Sequence, residues 1–432
     1  MGEQSQVVEV DQSQVEKVVD GLLREGLEGE ERKWRADAAW AAIRATGTRL
    51  WLDTGDVQEA ERLWNSEFEA LTTNNTLLNK EVQKGIYDEL IRKAAVAIRG
   101  AGVTDQKAVL AELAFVLNAH HGLRLVREFG AHVSVELHTD LADDVEGSVA
   151  YGRRYHAICP DRFYVKVPLT PAGLIAARRL SDLGIVVNLT LGFSARQNYA
   201  AALVAMPGFV NVFMGRLNQF VAENRLGDGR KVGEKAMLAT QRELSRLRYR
   251  GRARSLLIGA SMRDASQVRA LAGVDVFTLP AKVAAEYRKA PARRIVSRVD
   301  GNPAVELAKG VRLEDFGGGV LWNVPEGFDE CVDELARQEV GGLSPAKLVE
   351  HFAKAGFGDL FPKWSEEEIR TAAKDGKIPV YEKWKAALAG GWVGLDALMN
   401  LSAMQSFATD QRALDERVKG IAGNGVIGNW GW

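Results

Sequence analysis

Cysteine and long apolar runs are the features most clearly missing from this chain of 432 residues. Its only cysteines, Cys159 and Cys331, cannot build a disulfide framework and suit a reducing cytosol. No run reaches the roughly 18 apolar residues of a membrane-spanning helix, and the polar N-terminus lacks the apolar stretch of a secretory signal. The sequence therefore predicts a cytoplasmic protein without a membrane partner.

An excess of charge and the common metal and nucleotide motifs are missing as well. The formal net charge is −1, which gives no reason to expect a nucleic-acid partner. The six histidines form no H-E-x-x-H motif, and His120 and His121 are expected on a helix surface. There is no Walker A sequence, and the glycines over 227–233 are spaced one residue too widely for a dinucleotide fingerprint. We therefore predict no metal and no organic cofactor.

The chain does contain a regular alternation of short apolar runs with longer helical ones. Its 46% of apolar and 26% of charged residues are typical of a soluble globular protein with a large core. The eight predicted strands are Arg49–Thr54, Ala70–Asn74, Val133–Leu137, Phe163–Pro168, Val186–Leu191, Phe209–Gly215, Leu256–Ser261 and Asp275–Pro280. Eight strands that alternate with helices favour parallel pairing and a closed ring. The predicted fold class is α/β, a (β/α)8 TIM barrel with helical extensions at both ends.

Changes of pattern along the chain predict four divisions. They are a helical N-terminal extension over 1–47, a catalytic barrel over 48–304, a helical insertion over 305–390 and a C-terminal helix packing on the barrel over 391–432. Helical periodicity covers 15–23 and 29–46 in the first division, and short helices are expected at 327–338 and 345–355 in the third. Asp56 with Glu59 predicts a capping box after the first strand, and Thr170-Pro171 predicts a helix start after the fourth.

Polar side chains stand at or near the carboxyl ends of seven predicted strands, where a barrel carries its catalytic groups. They are Asp53, Asn74, Glu136, Lys166, Asn188, Thr190, Asn211, Arg216, Ser261 and Arg263. The convergence of so many polar groups on one end of a barrel favours an active site over a set of solvated side chains.

Lys166 is the strongest candidate for a catalytic residue, because it interrupts the apolar strand 164–168. Desolvation favours the neutral amine, which is nucleophilic toward carbonyls. The alternative is a lysine at a strand end that reaches solvent. Asp53 and Glu136 on other strands favour the nucleophile, since carbonyl chemistry needs groups that move protons. Each carboxylate alone has an alternative as an ion-pair partner of Lys166 or of an arginine.

Arg216 and Arg263 predict an anion site, because guanidinium forks match phosphate oxygens. Ser261 precedes a predicted helix over 264–272, whose first amides are expected to help hold the anion. The alternative is a pair of solvated arginines.

Seven short motifs in order make the sequence resemble transaldolases, class I Schiff-base aldolases of the pentose phosphate pathway. They are LDT at 52–54, TTNNT at 72–76, VSVEL at 133–137, VKVPLTPAG at 165–173, NLTL at 188–191, FMGR at 213–216 and GASMR at 259–263. The stretch SFATDQRALDERV at 406–418 also resembles the closing helix of that family. The resemblance runs from about residue 48 to 420 and is weakest across 300–390.

The resemblance implies a role for each strand-end residue. Lys166 matches the Schiff-base lysine, Asp53 the acid/base aspartate, and Glu136 with Thr190 the pair that hold the catalytic water and relay protons. Asn74 and Asn188 match asparagines that position the dihydroxyacetone unit, and Arg216, Ser261 and Arg263 match the phosphate-binding group. Two departures stand out: Asn211 stands where many members have serine, and Asn75 replaces the proline of the usual TTNP.

The implied activity is transfer of a dihydroxyacetone unit from a ketose phosphate, sedoheptulose 7-phosphate or fructose 6-phosphate, to an aldose phosphate. One rival is an aldolase of the same family that releases free dihydroxyacetone, or a transaldolase acting on an unusual sugar. A second is a catalytically silent sugar-phosphate-binding protein. A homo-oligomer is compatible with the sequence, and the insertion over 305–390 could cover the barrel mouth, extend an oligomer interface or add stability.

Overall fold

The computed structural model describes residues 12–24, 32–289 and 294–424. Its centre is a closed parallel barrel in which each strand pairs with the next and the last pairs with the first. The strands are β1 Arg49–Asp53, β2 Phe68–Thr72, β3 His132–Glu136, β4 Phe163–Pro168, β5 Val187–Thr190, β6 Phe209–Phe213, β7 Leu256–Ala260 and β8 Val276–Pro280. This arrangement confirms the predicted (β/α)8 fold.

Thirteen helices among the described residues lie before, between or directly after these strands. They are α1 Gln12–Leu23, α2 Ala38–Arg44, α3 Val57–Leu63, α4 Asn75–Gln83, α5 Asp88–Gly100, α6 Gln106–Phe129, α7 Val145–Ile158, α8 Pro171–Asp182, α9 Ala195–Val204, α10 Met214–Glu223, α11 Val232–Tyr249, α12 Ala265–Ala270 and α13 Ala281–Lys289. Thr170 caps α8 through its side chain and Pro171 follows it, as predicted. The predicted capping box at Asp56 is half formed: Asp56 accepts from the Glu59 amide, but the Glu59 carboxylate accepts from Thr54.

Five longer helices and several 3-10 turns follow the barrel. The helices are α14 Phe328–Ala336, α15 Pro345–Lys354, α16 Glu366–Asp375, α17 Tyr381–Ala389 and α18 Leu395–Asn424. The first two confirm the predicted short helices. The last packs against α4, α5 and α6 on the outside of the barrel. Its first turn is tied to α9, because Arg196 donates to both oxygens of Asp396.

Inward-facing side chains inside the barrel form an apolar layer beneath a polar one. Trp51, Tyr164 and Phe209 pack against one another in the lower layer, with ring centroids 4.7 to 5.5 Å apart; Trp51 stacks on Tyr164 and meets Phe209 edge to face. Successive side chains of a strand point to opposite faces. The residues two places further along, Asp53, Lys166 and Asn211, therefore also face inward, one layer nearer the carboxyl ends of the strands.

Two local predictions are wrong. The helix predicted over 29–46 covers only Ala38–Arg44 among the described residues, since 32–37 is irregular and Asp37 caps the helix that follows. His121 is buried rather than on a surface, because its helix α6 is covered on several sides. No helix within the described ranges has both the length and the apolar character needed to cross a bilayer.

Candidate active site

Lys166 is buried near the carboxyl end of β4, with only 3% of its surface exposed. Strand register places it beside Glu136 of β3 on one side and Asn188 of β5 on the other. Its Nζ atom lies 3.2 Å from Oε1 of Glu136 and donates to the carbonyl of Thr73 at 3.3 Å. The amine therefore faces the barrel interior and not bulk solvent.

Glu136 lies behind the amine rather than on the cavity wall. Its Oε2 atom accepts a hydrogen bond from the backbone N–H of Asn75 at 3.0 Å, while Oε1 faces Lys166. The side chain is buried. Both carboxylate oxygens thus have a donor, which is the arrangement that makes a buried charge tolerable.

Asp53 is a second carboxylate near the amine, and its side chain is half-buried. Burial and, to a smaller extent, the charge of Glu136 raise its pKa to about 6, against the opposing effect of the positive charge on Lys166. A carboxyl with a pKa near 6 can both accept and return a proton close to neutral pH. Asp53 is therefore suited to acid–base work.

Amide and hydroxyl side chains line the cavity around the amine. Asn74 caps α4 through its Oδ1 atom, which accepts from the Leu77 N–H. Asn188 donates to Ser134, and its Oδ1 accepts from Asn211 at 3.4 Å. The hydroxyl of Thr190 is buried and has no hydrogen-bond partner among the described residues. An unpartnered hydroxyl in a cavity wall is available to a substrate or to water.

Asn211 is more firmly engaged with the protein than the sequence indicated. Its Nδ2 atom also donates to the carbonyl of Leu189, and its Oδ1 accepts from the N–H of Gly192. Both ends of the amide are therefore occupied. Asn211 lines the cavity but also braces Asn188.

Two guanidinium groups stand at one side of the mouth. Arg216 is buried and lies in the first turn of α10, not at the end of a longer strand as predicted. Burial and, to a smaller extent, the neighbouring charge of Arg263 lower its pKa to about 10. Burial also lowers the pKa of Arg263. Neither forms an ion pair with a carboxylate of the described residues, so together they favour an anion.

The amides of α12 do not contribute to this anion site, contrary to prediction. The helix has only six residues, Ala265–Ala270. The N–H groups of Arg263 and Asp264 donate to the Gln267 side chain, and that of Ser266 donates to Asp264. Ser261 does line the cavity and has a left-handed φ of 65°. The groups in this part of the cavity that could bind an anion are therefore the two guanidiniums and the Ser261 hydroxyl.

All these groups except Glu136 line one cavity of about 400 Å³ at the mouth of the barrel. Three residues from beyond the barrel also line it and were missed in the sequence: Lys377, Phe407 and Asp410. The Phe407 ring lies 5.9 Å from Lys166 Nζ and 5.7 Å from Arg216 Cζ. It therefore spans the amine and the anion site. The resemblance of 406–418 to the family's closing helix was the available signal for Phe407.

A larger groove of about 710 Å³ lies on the flank of the barrel, among α10, α11 and residues 298–303. Its central carboxylate, Glu234, already accepts from Asn218 and from Gln267. No strand end reaches it. The smaller cavity is the better candidate, because it holds a buried amine, a carboxyl with a raised pKa and two uncompensated guanidiniums.

The sequence matches one family model, described as Transaldolase/Fructose-6-phosphate aldolase, over residues 50–313. That range covers more than half of the chain. It contains all of the barrel except Arg49, the first residue of β1, and it contains every strand-end residue described above.

Similar curated proteins are bacterial transaldolases. The transaldolase of Xanthomonas euvesicatoria pv. vesicatoria (strain 85-10) is 28% identical over 258 residues, which cover 57% of this chain and 79% of that protein. The transaldolase of Rhizobium rhizogenes is 30% identical over 248 residues, covering 56% and 75%. That of Vibrio parahaemolyticus is 27% identical over 281 residues, covering 64% and 86%.

Proposed function

This chain belongs to the transaldolase/fructose-6-phosphate aldolase family and is a transferase of the transaldolase type, and we propose that it transfers a dihydroxyacetone unit through a Schiff base on Lys166. The proposed donor is a ketose phosphate, sedoheptulose 7-phosphate or fructose 6-phosphate, and the acceptor is an aldose phosphate. The observation that carries the proposal is the Lys166 amine, buried and 3.2 Å from the Glu136 carboxylate in a cavity with two guanidiniums.

Imine formation is the first stage. Lys166 passes a proton to Glu136 and adds, as the neutral amine, to the C2 carbonyl of the donor. A proton moves from nitrogen to the former carbonyl oxygen, and Glu136 then returns its proton to that hydroxyl, which leaves as water. The unpartnered hydroxyl of Thr190 is suited to hold a water in this relay. The products are a protonated imine and an ionised Glu136.

Bond cleavage is the second stage. Asp53 accepts the proton of the C4 hydroxyl, the C3–C4 bond breaks, and its electrons flow into the imine to give an enamine. The aldose phosphate leaves with the new carbonyl at the former C4. Asn74 and Asn188 hold the hydroxyls of the three-carbon unit, and Asn211 orients Asn188 through its hydrogen bond. The reverse steps join the unit to the acceptor.

Phosphate recognition falls to Arg216, Arg263 and Ser261. Two guanidiniums that lack a carboxylate partner gain most from a dianion, because its charge offsets their mutual repulsion. We also propose that the segment 305–390 covers this side of the mouth. Its Lys377 lines the cavity and accepts a hydrogen bond from Arg216 through its backbone carbonyl at 3.5 Å. A cytoplasmic location is part of the proposal, and two free cysteines suit it.

Borohydride trapping tests the proposal. With fructose 6-phosphate and no acceptor, reduction should leave a three-carbon adduct on Lys166, identified by peptide mass. Lys166→Ala should abolish both the adduct and turnover, whereas Lys347→Ala, which removes an exposed lysine of α15, should change neither. An adduct on another lysine, or turnover by Lys166→Ala, would refute the assignment. Adding an aldose phosphate should replace release of free dihydroxyacetone by transfer, which separates transferase from aldolase action.

A further inference from the structure

Glu136 is held between two donors that come from different parts of the barrel. Lys166 Nζ faces Oε1 at 3.2 Å, and the backbone N–H of Asn75 donates to Oε2 at 3.0 Å. Asn75 is the first residue of α4, so its N–H has no partner within the helix. Glu136 therefore accepts a hydrogen bond from an N–H that has no acceptor within α4.

The side chain of Asn75 forms hydrogen bonds of its own with neighbouring parts of the barrel. It is buried, with 1% of the residue exposed. Its Nδ2 atom donates to the carbonyl of Leu137 at 3.3 Å, and its Oδ1 accepts from Asn118 at 3.5 Å. Asn118 in turn donates to the carbonyl of Ala114 within α6. The side chain thus links the start of α4 to α6 and to Leu137, the residue after β3.

The fold itself does not require an N–H at this position. The first position of a helix favours proline, and Asn74 is extended, with φ −158° and ψ 169°, as the residue before a proline must be. Proline has no N–H, and its Cδ atom would stand where the hydrogen now points toward Glu136. A proline would therefore leave the backbone path intact and remove the hydrogen bond to Oε2 of Glu136.

We propose that Asn75 is a positioning residue, whose backbone N–H holds Glu136 aimed at Lys166 for imine formation. This inference rests on the proposed function. The N–H fixes Oε2, so that Oε1 stays turned toward Lys166, takes up its proton and later returns it to the hydroxyl that leaves as water. The residue acts through Glu136 and does not touch the substrate.

A test must separate Glu136 from the other titratable groups around it. Among the described residues these are Lys166 on β4, Asp53 on β1 and Tyr155 on α7. Asp53→Asn removes one of them and also blocks bond cleavage, so that trapping reports imine formation alone. Burial raises the pKa of Tyr155 far above its usual range, so the phenol does not titrate near neutrality.

The experiment compares three proteins that all carry Asp53→Asn: Asn75 unchanged, Asn75→Ala and Asn75→Pro. The rate of cyanoborohydride trapping of fructose 6-phosphate, as a six-carbon adduct, is measured from about pH 5 to pH 9. Alanine keeps the backbone N–H and should keep the pH at which trapping is half-maximal. Proline should move that pH upward by about one unit, since a hydrogen bond to a charged group is worth roughly one unit of pKa or more.

Each other outcome has a defined meaning. Coincident profiles for Asn75→Pro and its parent would overturn the inference, as would an equal shift in Asn75→Ala. Absence of an adduct in the folded parent would refute the proposed function instead. If Asn75→Pro does not fold, the amide proton of Asn75 is followed by NMR after selective 15N labelling of asparagine. Its chemical shift should change with pH alongside trapping, and a Glu136→Gln variant that leaves this titration intact would overturn the inference.

Discussion

Arg196 and Asp396 form a buried ion pair that joins α9 of the barrel to the C-terminal helix α18. Arg196 Nε and Nη2 each lie 2.8 Å from an oxygen of Asp396, and the two side chains are 2% and 0% exposed. Asp359 accepts from the other side of the guanidinium, and Ser194 donates to Asp396. Helix α18, which begins at this pair, also carries Phe407 over the amine.

Breaking this pair should destabilise the fold strongly. Asp396→Asn leaves a buried guanidinium only partly compensated, which costs about 3–5 kcal/mol. Urea denaturation measures the loss. Asp359→Asn is the matched control, because Asp359 is more exposed at 17%, and its loss should be smaller. Equal and small effects of the two variants would show that the pair does not hold α18 in place.

The acid limb of activity should be set by Asp53. Its pKa is about 6, and cleavage needs the ionised carboxylate, so kcat/KM should fall about tenfold for each pH unit below that value. Asp53→Asn should lower kcat by about 10²- to 10⁴-fold, the usual effect of losing a general base, while the imine still forms on Lys166. If Asp53→Asn kept its turnover and the same fall of kcat/KM at low pH, the general base would be a residue other than Asp53.

The ionisation of Asp53 should make the free energy of unfolding depend on pH in a known direction. Its pKa in the folded protein, about 6, lies above the ordinary 3.8, so ionisation favours the unfolded chain. The folded protein should lose stability as pH rises from about 4 to about 6. Asp53→Asn removes this penalty and should stabilise by about 1–3 kcal/mol at about pH 8. Urea denaturation should show little gain at about pH 4, and an equal gain at both values would point to a cause other than charge.

Loss of either guanidinium should act on phosphorylated substrates. Arg216→Ala or Arg263→Ala should lower kcat/KM for a ketose phosphate by about 10- to 100-fold, mainly through KM, because a hydrogen bond to a charged group is lost. Arg263→Lys should recover part of it, since lysine keeps the charge without the fork. Steady-state kinetics with the matching unphosphorylated ketose provides the control. An equal loss there would contradict phosphate binding.

Much of the barrel could be predicted because its signals are local. Each strand is a short apolar run, and Asp53, Lys166 and Asn188 stand at or near the carboxyl ends of such runs, where a barrel carries its catalytic groups. The predicted strand ends differ from the observed ones by at most two residues. The final residues of a run were often assigned to the strand when they belong to the next loop or helix, as at Met214 and Gly215, which belong to α10.

Contacts between distant segments could not be predicted in the same way. Nothing near Phe407 or Lys377 in the chain shows that each lines the cavity. His121 lies on a helix whose apolar residues are spread around its axis, so periodicity did not identify its covered face. The place of Glu136 behind the amine depends on the Asn75 N–H, a partner 61 residues away.

The packed rings of Trp51, Tyr164 and Phe209 fill the barrel beneath the cavity. Their position bears on the order in which substrates bind and products leave. The three residues are at most 8% exposed, so the cavity above them opens at the mouth alone. Under the proposed function, donor and acceptor enter the cavity through the same opening and bind at the same site. The first aldose phosphate must depart before the second arrives, which requires a ping-pong order and parallel lines in double-reciprocal plots.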